Sequence, residues 1–509
     1  MNHSFAQVPS ANVGRSKFDL SHGHKTTIDA DYIYPLTWME VIPGDTFNVR
    51  GNIFARMTTP IYPLMDNLHI DTFYFFVPYR ILWSNWERFL GAQDDPGDTI
   101  DFTIPTVANS ASGFAELSLY DYMGVPPLVD LDANDVDVCA FPFRAYDKIW
   151  NDWFRDENLQ DSLTENTGDG PDSDLYTIQK RGKRHDYFTS CLPWTQKQDT
   201  AVSLPLGTEA RIAFDGADNT NIGIYSTAAP GGRAMDNVST TVQLRSETAE
   251  TDLLYADLTN ATAATINAIR LAVTTQQFLE RDARAGTRIN EIILSHFGVT
   301  VPDYRVQRPE YLGGSSDPIQ VNTVAQTSQT ATTPQGTLSA YATAFANGNG
   351  FTKSFTEFGL IMALVSVRAD LTYQQGLHKS FQRQTRYDMF WPEFQHIGEQ
   401  AVLMSEIAAV GGAADTTVWG YQERYAELKF QPSRISGKFR SGATGTLHAW
   451  HLSESLSTPA LDSTFIPSNT PMDRVLAVSG EPDFILDTYF NVTAVRPMSL
   501  HGTPGLARF

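Results

Sequence analysis

Residues 73–77 form an uninterrupted apolar run, Phe-Tyr-Phe-Phe-Val, that lies between Asp66-Asn67 and Pro78. A short continuous run of this kind, bounded by turn residues, is typical of a β-strand covered on both faces. Such a strand requires packed structure on each side of its sheet. This requirement constrains the fold more than any other segment of the chain.

Other strands are indicated toward both ends of the chain. The candidate ranges are 47–54, 421–430, 447–452 and 483–495. Strands at both ends, without regular alternation of strand and helix, favour an antiparallel sandwich over a doubly wound parallel sheet. We therefore predict a mainly β protein.

Helices are predicted to be few, short and amphipathic. Apolar residues recur at helical spacing in 81–90, 144–154 and 289–297, and Gly298 follows the last of these ranges as a typical C-terminal cap. We interpret the aromatic faces of these helices as packing surfaces, because stripes of this kind are far more often core than cofactor sites.

The length of 509 residues exceeds the roughly 250–300 residues that one hydrophobic core supports, so we expect large insertions or more than one domain. Residues 207–262 are rich in Thr, Ala, Asn, Asp and Gly, and residues 313–350 carry Asp317 as their only charged side chain. Neither range has the composition of an independent core. We predict a surface insertion at 207–262 and a low-complexity loop insertion at 313–350.

The formal net charge of −21 reflects 58 acidic side chains against 37 lysines and arginines. A protein that neutralises nucleic-acid phosphates by itself needs the opposite balance. If the protein encloses nucleic acid, a separate basic molecule is expected to do most of the neutralising. We interpret the local basic clusters at 181–184 and at Arg434, Lys438 and Arg440 as solvated or interface surfaces.

No catalytic, cofactor or metal signature is convincing. The acidic run that begins at Asp130 departs from a calcium loop, with Asp135 where glycine and Phe141 where glutamate are required. His448 and His451 lie on a predicted strand at a spacing that points them to opposite faces. We therefore assign no catalytic, cofactor or metal residue, although a carboxylate pair for glycoside hydrolysis could be distant in sequence.

Compartment signals are few. Two cysteines, Cys139 and Cys191, are too few for a disulfide framework, and their apolar neighbours predict that both are buried. The first 23 residues have no apolar leader segment, and the longest apolar run, 358–367, is too short to span a bilayer. We expect the chain to fold in the cytosol.

Many ordered sequence blocks resemble one family, the major capsid proteins of the Microviridae, and among these the gokushoviruses. The blocks are SKFDLSHG at 16–23, KTT at 25–27, PGDTF at 43–47, PIYPLMDNL at 60–68, RPEYLGGS at 308–315, IGEQ at 397–400, WGYQE at 419–423, RPM at 496–498 and GL at 505–506. The resemblance extends over most of the chain except 207–262 and parts of 94–131.

This resemblance implies an eight-stranded antiparallel jelly-roll sandwich with long loop insertions and a few short helices, forming one domain over residues 1–509. It implies self-assembly into a 60-copy T=1 icosahedral shell around single-stranded DNA. It also implies a surface protrusion, which we assign to 207–262, and four kinds of partner: a small basic DNA-packaging protein, a minor or pilot protein, a scaffolding protein and a host surface receptor. The expected location is the virion capsid, assembled in the cytoplasm of the host bacterium.

Self-association requires apolar patches that each copy buries against its neighbours. The candidates are aromatic residues in otherwise irregular segments: Trp391, Phe394, Trp83, Trp86 and Phe509. For each of them the alternative is burial within its own subunit. Two other classes of protein remain open, an all-β carbohydrate-binding or carbohydrate-active protein and a secreted β-sandwich adhesin.

Overall fold

The computed structural model describes residues 13–108, 113–131, 136–173, 176–197, 266–478 and 480–501, together with the backbone of short strands at 211–214, 224–225, 243–244 and 254–257. Two compact units are distinguished, residues 196–284 and the remainder of the chain. The first of these units encloses the insertion predicted at 207–262, most of which lies outside the described residues.

Nine strands form the main sheet of the larger unit. They are β1 (Ser16–Asp19), β2 (His22–Ile28), β3 (Tyr34–Val41), β4 (Thr46–Met57), β5 (Leu68–Pro78), β6 (Glu310–Ala325), β7 (Leu338–Ser354), β8 (Gly359–Ala369) and β9 (Phe484–Arg496). Two-stranded ladders join Thr106–Val107 to Val138–Cys139 and Glu399–Leu403 to Val418–Glu423.

The described helices are short apart from one. They are α1 (Trp86–Phe89), α2 (Leu119–Tyr122), α3 (Phe141–Ile149), α4 (Ile266–Ala285), α5 (Ile289–Phe297), α6 (Met404–Ile407) and α7 (Ala426–Lys429). Helix α3 continues as a π-helical turn over Trp150–Phe154, and α5 ends at Gly298, whose φ of 68° is the left-handed C-terminal cap predicted from sequence.

The main sheet is antiparallel, with the strand order β1/β2–β9–β4–β7–β6–β5–β8–β3. Strands β1 and β2 both pair with β9, at Thr493–Arg496 and at Phe484–Phe490, so the nine strands occupy eight positions. The sheet curls at β6, which pairs with β5 over its first part and with β7 over its last. This arrangement confirms the predicted mainly β, eight-stranded antiparallel jelly-roll sandwich with a few short helices.

The inner faces of the two halves of the sheet form one core. Strands β4 and β9 alternate buried and exposed side chains along most of their length, which is typical of strands with one face in a core. The halves approach closely at Gly51 of β4. A Cβ atom added there would meet the hydroxyl group of Tyr74 and would lie 3.3 Å from the ring of Phe490.

Strands β5 and β8 are buried on both faces, which confirms the prediction from residues 73–77. Ile361 and Val365 of β8 face the sandwich core, whereas Leu360 and Met362 face a second core that α3 covers. Helix α3 is fixed to the following loop by a buried ion pair, in which Arg144 donates to Asp172 at 2.8 and 2.7 Å. The sandwich and the helical layer therefore share two strands.

The prediction of a loop insertion at 313–350 is wrong for most of its length. These residues belong to β6 and β7, and residues 326–337 alone connect the two strands. The inward positions of β7 are alanines, which are buried but resemble low-complexity composition in the sequence. They are Ala340, Ala342, Ala344 and Ala346.

Other predictions had mixed outcomes. The strands at 47–54 and 483–495 and the helices at 144–154 and 289–297 are confirmed. The strand predicted at 421–430 ends at Glu423 and gives way to α7, and the one at 447–452 is wrong because His448–Trp450 forms a 3-10 turn. The helix predicted at 81–90 is reduced to α1 and a preceding 3-10 turn. Cys139, which was predicted to be buried, is exposed.

Gly51→Ala is expected to lower the free energy of unfolding by about 1–3 kcal/mol, because the added methyl group overpacks the closest approach of the two half-sheets. Urea unfolding of the unassembled chain measures this loss. Gly97→Ala is the matched control, since a Cβ there has nothing within 4 Å. Equal stability of the two variants would contradict the packing described at Gly51.

Candidate assembly surfaces

Trp83 and Trp86, predicted as interface residues, belong to the core of their own subunit. Trp83 is 0% exposed, and its indole nitrogen donates to Asp169 at 2.7 Å. Trp86 is buried, and its ring lies 5.0 Å from that of Tyr79. The interface prediction is therefore wrong for both, because each is buried in the second core, where both rings lie near that of Phe141 of α3.

Trp391 and Phe394 lie in an exposed segment, residues 377–397, that we call the aromatic segment. Trp391 is 47% exposed and its indole nitrogen donates to the carbonyl of Arg386 at 2.8 Å, whereas Phe394 is half-buried. Phe509, the remaining candidate, lies outside the described residues.

The aromatic segment has more exposed apolar side chains than the two residues, Trp391 and Phe394, that were predicted from sequence. Phe381 is 74% exposed. Five further side chains of the segment are also exposed, namely Leu377, Tyr387, Met389, Phe390 and Ile397. Several exposed apolar side chains in one short segment make it a candidate interaction surface. The clustering of aromatic letters in an irregular stretch is the sequence signal for this surface, and it predicts two of its residues, Trp391 and Phe394.

Two buried carboxylates fix the aromatic segment to the protein. Lys379 donates to Glu406 at 3.1 Å, and Arg383 donates to Glu427 at 2.9 Å. The side chains of both glutamates are at most 3% exposed. The partners are 27 and 44 residues apart in sequence, so local sequence patterns gave no indication of these contacts.

Glu427 is held in its ionised form. Burial alone would raise the pKa of Glu427, but hydrogen bonds from Gln400 and Arg383 outweigh burial and hold it below the ordinary value for glutamate. On the other side of the segment, Glu406 also accepts a hydrogen bond from the Tyr187 hydroxyl at 3.0 Å. The aromatic segment is thus attached at two points by charge-assisted hydrogen bonds.

A cavity of about 330 Å³ lies beneath the aromatic segment, and both glutamates line it. This pair could be the carboxylate pair of a glycosidase, which needs one carboxylic acid with a raised pKa to protonate the leaving group. Glu427 has the opposite shift, and Glu406 is paired with Lys379. The geometry therefore supports an anchoring role for the pair and not acid catalysis.

A second cavity of about 560 Å³ is lined by aromatic and basic side chains that include the basic cluster 181–184. Arg181 pairs with Asp71, and Lys183 pairs with Glu454 at 2.9 Å. The more exposed Arg184 lies 3.5 Å from Asp370. The positive charges of this cluster are used in ion pairs within the subunit.

Within the described ranges, no three His, Cys, Asp or Glu side chains are arranged to hold a metal ion. In the same part of the chain, no helix combines the length and apolar character needed to cross a bilayer. The antiparallel sandwich and its exposed aromatic segment are features of proteins that associate with partners.

Comparison with known proteins identifies the family. Residues 6–506 match the model of the capsid protein (F protein) family, and the chain belongs to this family. It is 47% identical to capsid protein VP1 of Bdellovibrio phage phiMH2K, over 99% of this chain and 97% of that protein. It is 40% identical to capsid protein VP1 of Chlamydia phage 1, over 100% of this chain and 98% of that protein.

A third relative, capsid protein VP1 of Spiroplasma virus 4, is 34% identical over 99% of this chain and 98% of its own length. The protein is therefore a structural capsid protein of a bacteriophage, and it forms a shell around a genome. This finding confirms the predicted role of a structural, non-enzymatic capsid protein and its location in the virion capsid.

Glu427→Gln is expected to loosen the aromatic segment and to lower the free energy of unfolding by about 3 kcal/mol, because it leaves Arg383 without its charged partner. Hydrogen exchange of residues 377–397 should become faster in the variant. Since the pKa of Glu427 is lowered in the folded protein, its contribution is fully present above the ordinary glutamate pKa and is lost as the pH falls below it.

Glu393→Gln is the matched control for this prediction, because Glu393 is an exposed glutamate of the same segment. Its exchange rates should equal those of the wild type. If Glu427→Gln also left the exchange of residues 377–397 unchanged, the buried ion pair would not be what holds the segment in place.

Proposed function

We propose that 60 copies of this chain form a T=1 icosahedral shell around single-stranded DNA, and that the aromatic segment forms a principal contact between copies. The observation that carries the second part is the exposure of Phe381, Trp391 and their neighbours on a segment anchored by two buried ion pairs. The family of the chain and its resemblance to gokushovirus capsid proteins support the first part.

The anchoring matters for the energetics of association. Ordering a flexible loop at an interface costs free energy, and a contact surface that is fixed beforehand avoids that cost. Aromatic side chains also dominate the binding energy at most interfaces. A preformed aromatic surface can therefore give a useful contact from a small area, and closure of the shell makes many small contacts cooperative.

The predicted partners follow from charge and from the resemblance. A chain with a net charge of −21 needs a small basic packaging protein to neutralise most of the DNA phosphates. A minor or pilot protein and a scaffolding protein complete the proposed assembly, which takes place in the cytoplasm of the host bacterium.

The insertion at 207–262 is proposed as a surface protrusion that contacts a host receptor. Its position inside a separate compact unit, residues 196–284, supports the view that it is not part of the sandwich. This segment is also where the resemblance to the family fades, as expected for a surface that adapts to different hosts.

Phe381→Ser is expected to prevent closed particles at concentrations at which the wild type assembles, because a central aromatic contact contributes about 2 kcal/mol or more. Phe297→Ser is the matched control, since Phe297 is 77% exposed on α5 and is outside the aromatic segment. Electron microscopy scores the particles, and circular dichroism checks the fold. Normal particles from Phe381→Ser would remove the aromatic segment from the proposal.

Replacement of residues 207–262 with a short Gly-Ser linker should leave particle assembly intact and sharply reduce infection of the host, because a surface protrusion contributes to neither the sandwich nor the shell. Particle yield by electron microscopy and plaque counts measure the two effects. A deletion variant that does not fold would show that these residues are part of the core.

A further inference from the structure

Strands β2, β4, β7 and β9 have an outward face that is not part of the contact between copies proposed above. We call it the sheet face. Its side chains alternate with those of the sandwich core, so they point away from it. Four aromatic rings are exposed on this face, namely Tyr341, Phe345, Phe54 and Tyr489.

Strand register brings these rings together. Phe345 of β7 pairs directly with Phe54 of β4, which places their Cβ atoms about 5 Å apart. Tyr489 of β9 pairs with Asn52, the next outward position of β4. The rings therefore extend across three adjacent strands as one surface. Phe345 is 63% exposed, so most of its ring is open to solvent.

The charges on the sheet face are opposite to those of the chain as a whole. Arg50 and Arg56 of β4 are exposed, and neither forms an ion pair with a described residue. Lys25 of β2 pairs with Asp487 of β9 at 2.7 Å, and Asp487 is the one carboxylate among the outward positions of these four strands. A chain with a net charge of −21 thus concentrates uncompensated positive charge here.

Amide side chains fill the positions between the rings and the arginines. Asn52 pairs with Asn347 across β4 and β7, and Asn491 pairs with Arg50 across β9 and β4. Primary amides donate and accept hydrogen bonds, so they match the edges of nucleobases. Rings, arginines and amides together are the combination that binds single-stranded nucleic acid through stacking and phosphate contacts.

A contact with a second copy of the chain fits this face less well. A self-complementary contact would bring the like-charged Arg50 and Arg56 side chains of two copies close together, which costs free energy. A basic packaging protein would be repelled by this surface. Single-stranded DNA supplies both the phosphates and the stacking partners that the exposed groups lack.

We propose that the sheet face is where the subunit binds the enclosed single-stranded DNA. Bases stack on Phe54, Phe345 and Tyr489, and the backbone phosphates lie against Arg50 and Arg56. This proposal rests on the proposed function, since it takes single-stranded DNA as the enclosed genome. The proposal thus assigns the genome contact to Arg50 and Arg56, which form no ion pair with a described residue of their own subunit.

The test uses two double variants of the full-length chain, Phe54→Ser with Phe345→Ser and Arg50→Ser with Arg56→Ser. Binding of a fluorescent oligothymidylate of 20 nucleotides is followed by anisotropy, below the concentration at which particles form. The ring variant should bind at least about 10-fold more weakly, since one stacked base contributes about 1–3 kcal/mol. The arginine variant should reduce the slope of log affinity against log salt by about 1.4.

Phe297→Ser and Arg440→Ser are the controls, because each removes an exposed side chain of the same type elsewhere on the chain. Both should bind the oligonucleotide as the wild type does. Electron microscopy of the same variants separates this proposal from the proposed shell. Loss of DNA binding supports the sheet face even if the wild type forms no icosahedral particle.

Three results would overturn the proposal. The first is a wild-type chain that does not bind the oligonucleotide. The second is unchanged binding by both double variants. The third is a double variant that binds DNA normally but does not form particles, which would make the sheet face a contact between copies.

Discussion

Strands β5 and β8 have no face toward solvent, and the larger unit depends on this constraint. One face of each strand lies in the sandwich core and the other lies under α3 and its neighbours. Burying a large apolar side chain contributes about 1.5–3 kcal/mol, so two strands buried on both faces join the layers strongly. The Arg144–Asp172 ion pair then fixes α3 in one position over them.

This arrangement leaves other surfaces of the sandwich open. In the described part of the chain, the outward positions of β4, β7 and β9 are exposed along most of each strand. The aromatic segment is separate from the sandwich core and is attached through Glu406 and Glu427 to a third cluster of buried residues that includes Tyr187 and Ala426. The packed interior thus supports two surfaces of different chemistry. The aromatic segment is apolar, whereas the sheet face is basic and aromatic.

The parts of the fold that the sequence predicted are those in which hydrophobic pattern alone decides the structure. The run at 73–77 predicted a doubly covered strand because every side chain in it is large and apolar. The inward positions of β7 are alanines, too small and too common to form a recognisable pattern, so a strand was taken for a loop. The eight-stranded topology came from the resemblance, since strand order depends on contacts distant in sequence.

The predicted interface residues show the same dependence on contacts that are distant in sequence. Trp83 and Trp391 are both tryptophans in short irregular stretches, yet one is buried and the other is exposed. The difference comes from Phe141 and the other residues of the helical layer that surround Trp83, none of which sequence position identifies. The glutamates that anchor the aromatic segment could not be predicted for the same reason.

Electron cryomicroscopy of assembled particles tests the central claim most directly, that this chain functions by packing against copies of itself through the aromatic segment. The map should show Phe381 and Trp391 buried between neighbouring copies, with β5 and β8 still enclosed within each subunit. A closed particle in which residues 377–397 face solvent on every copy would contradict this account.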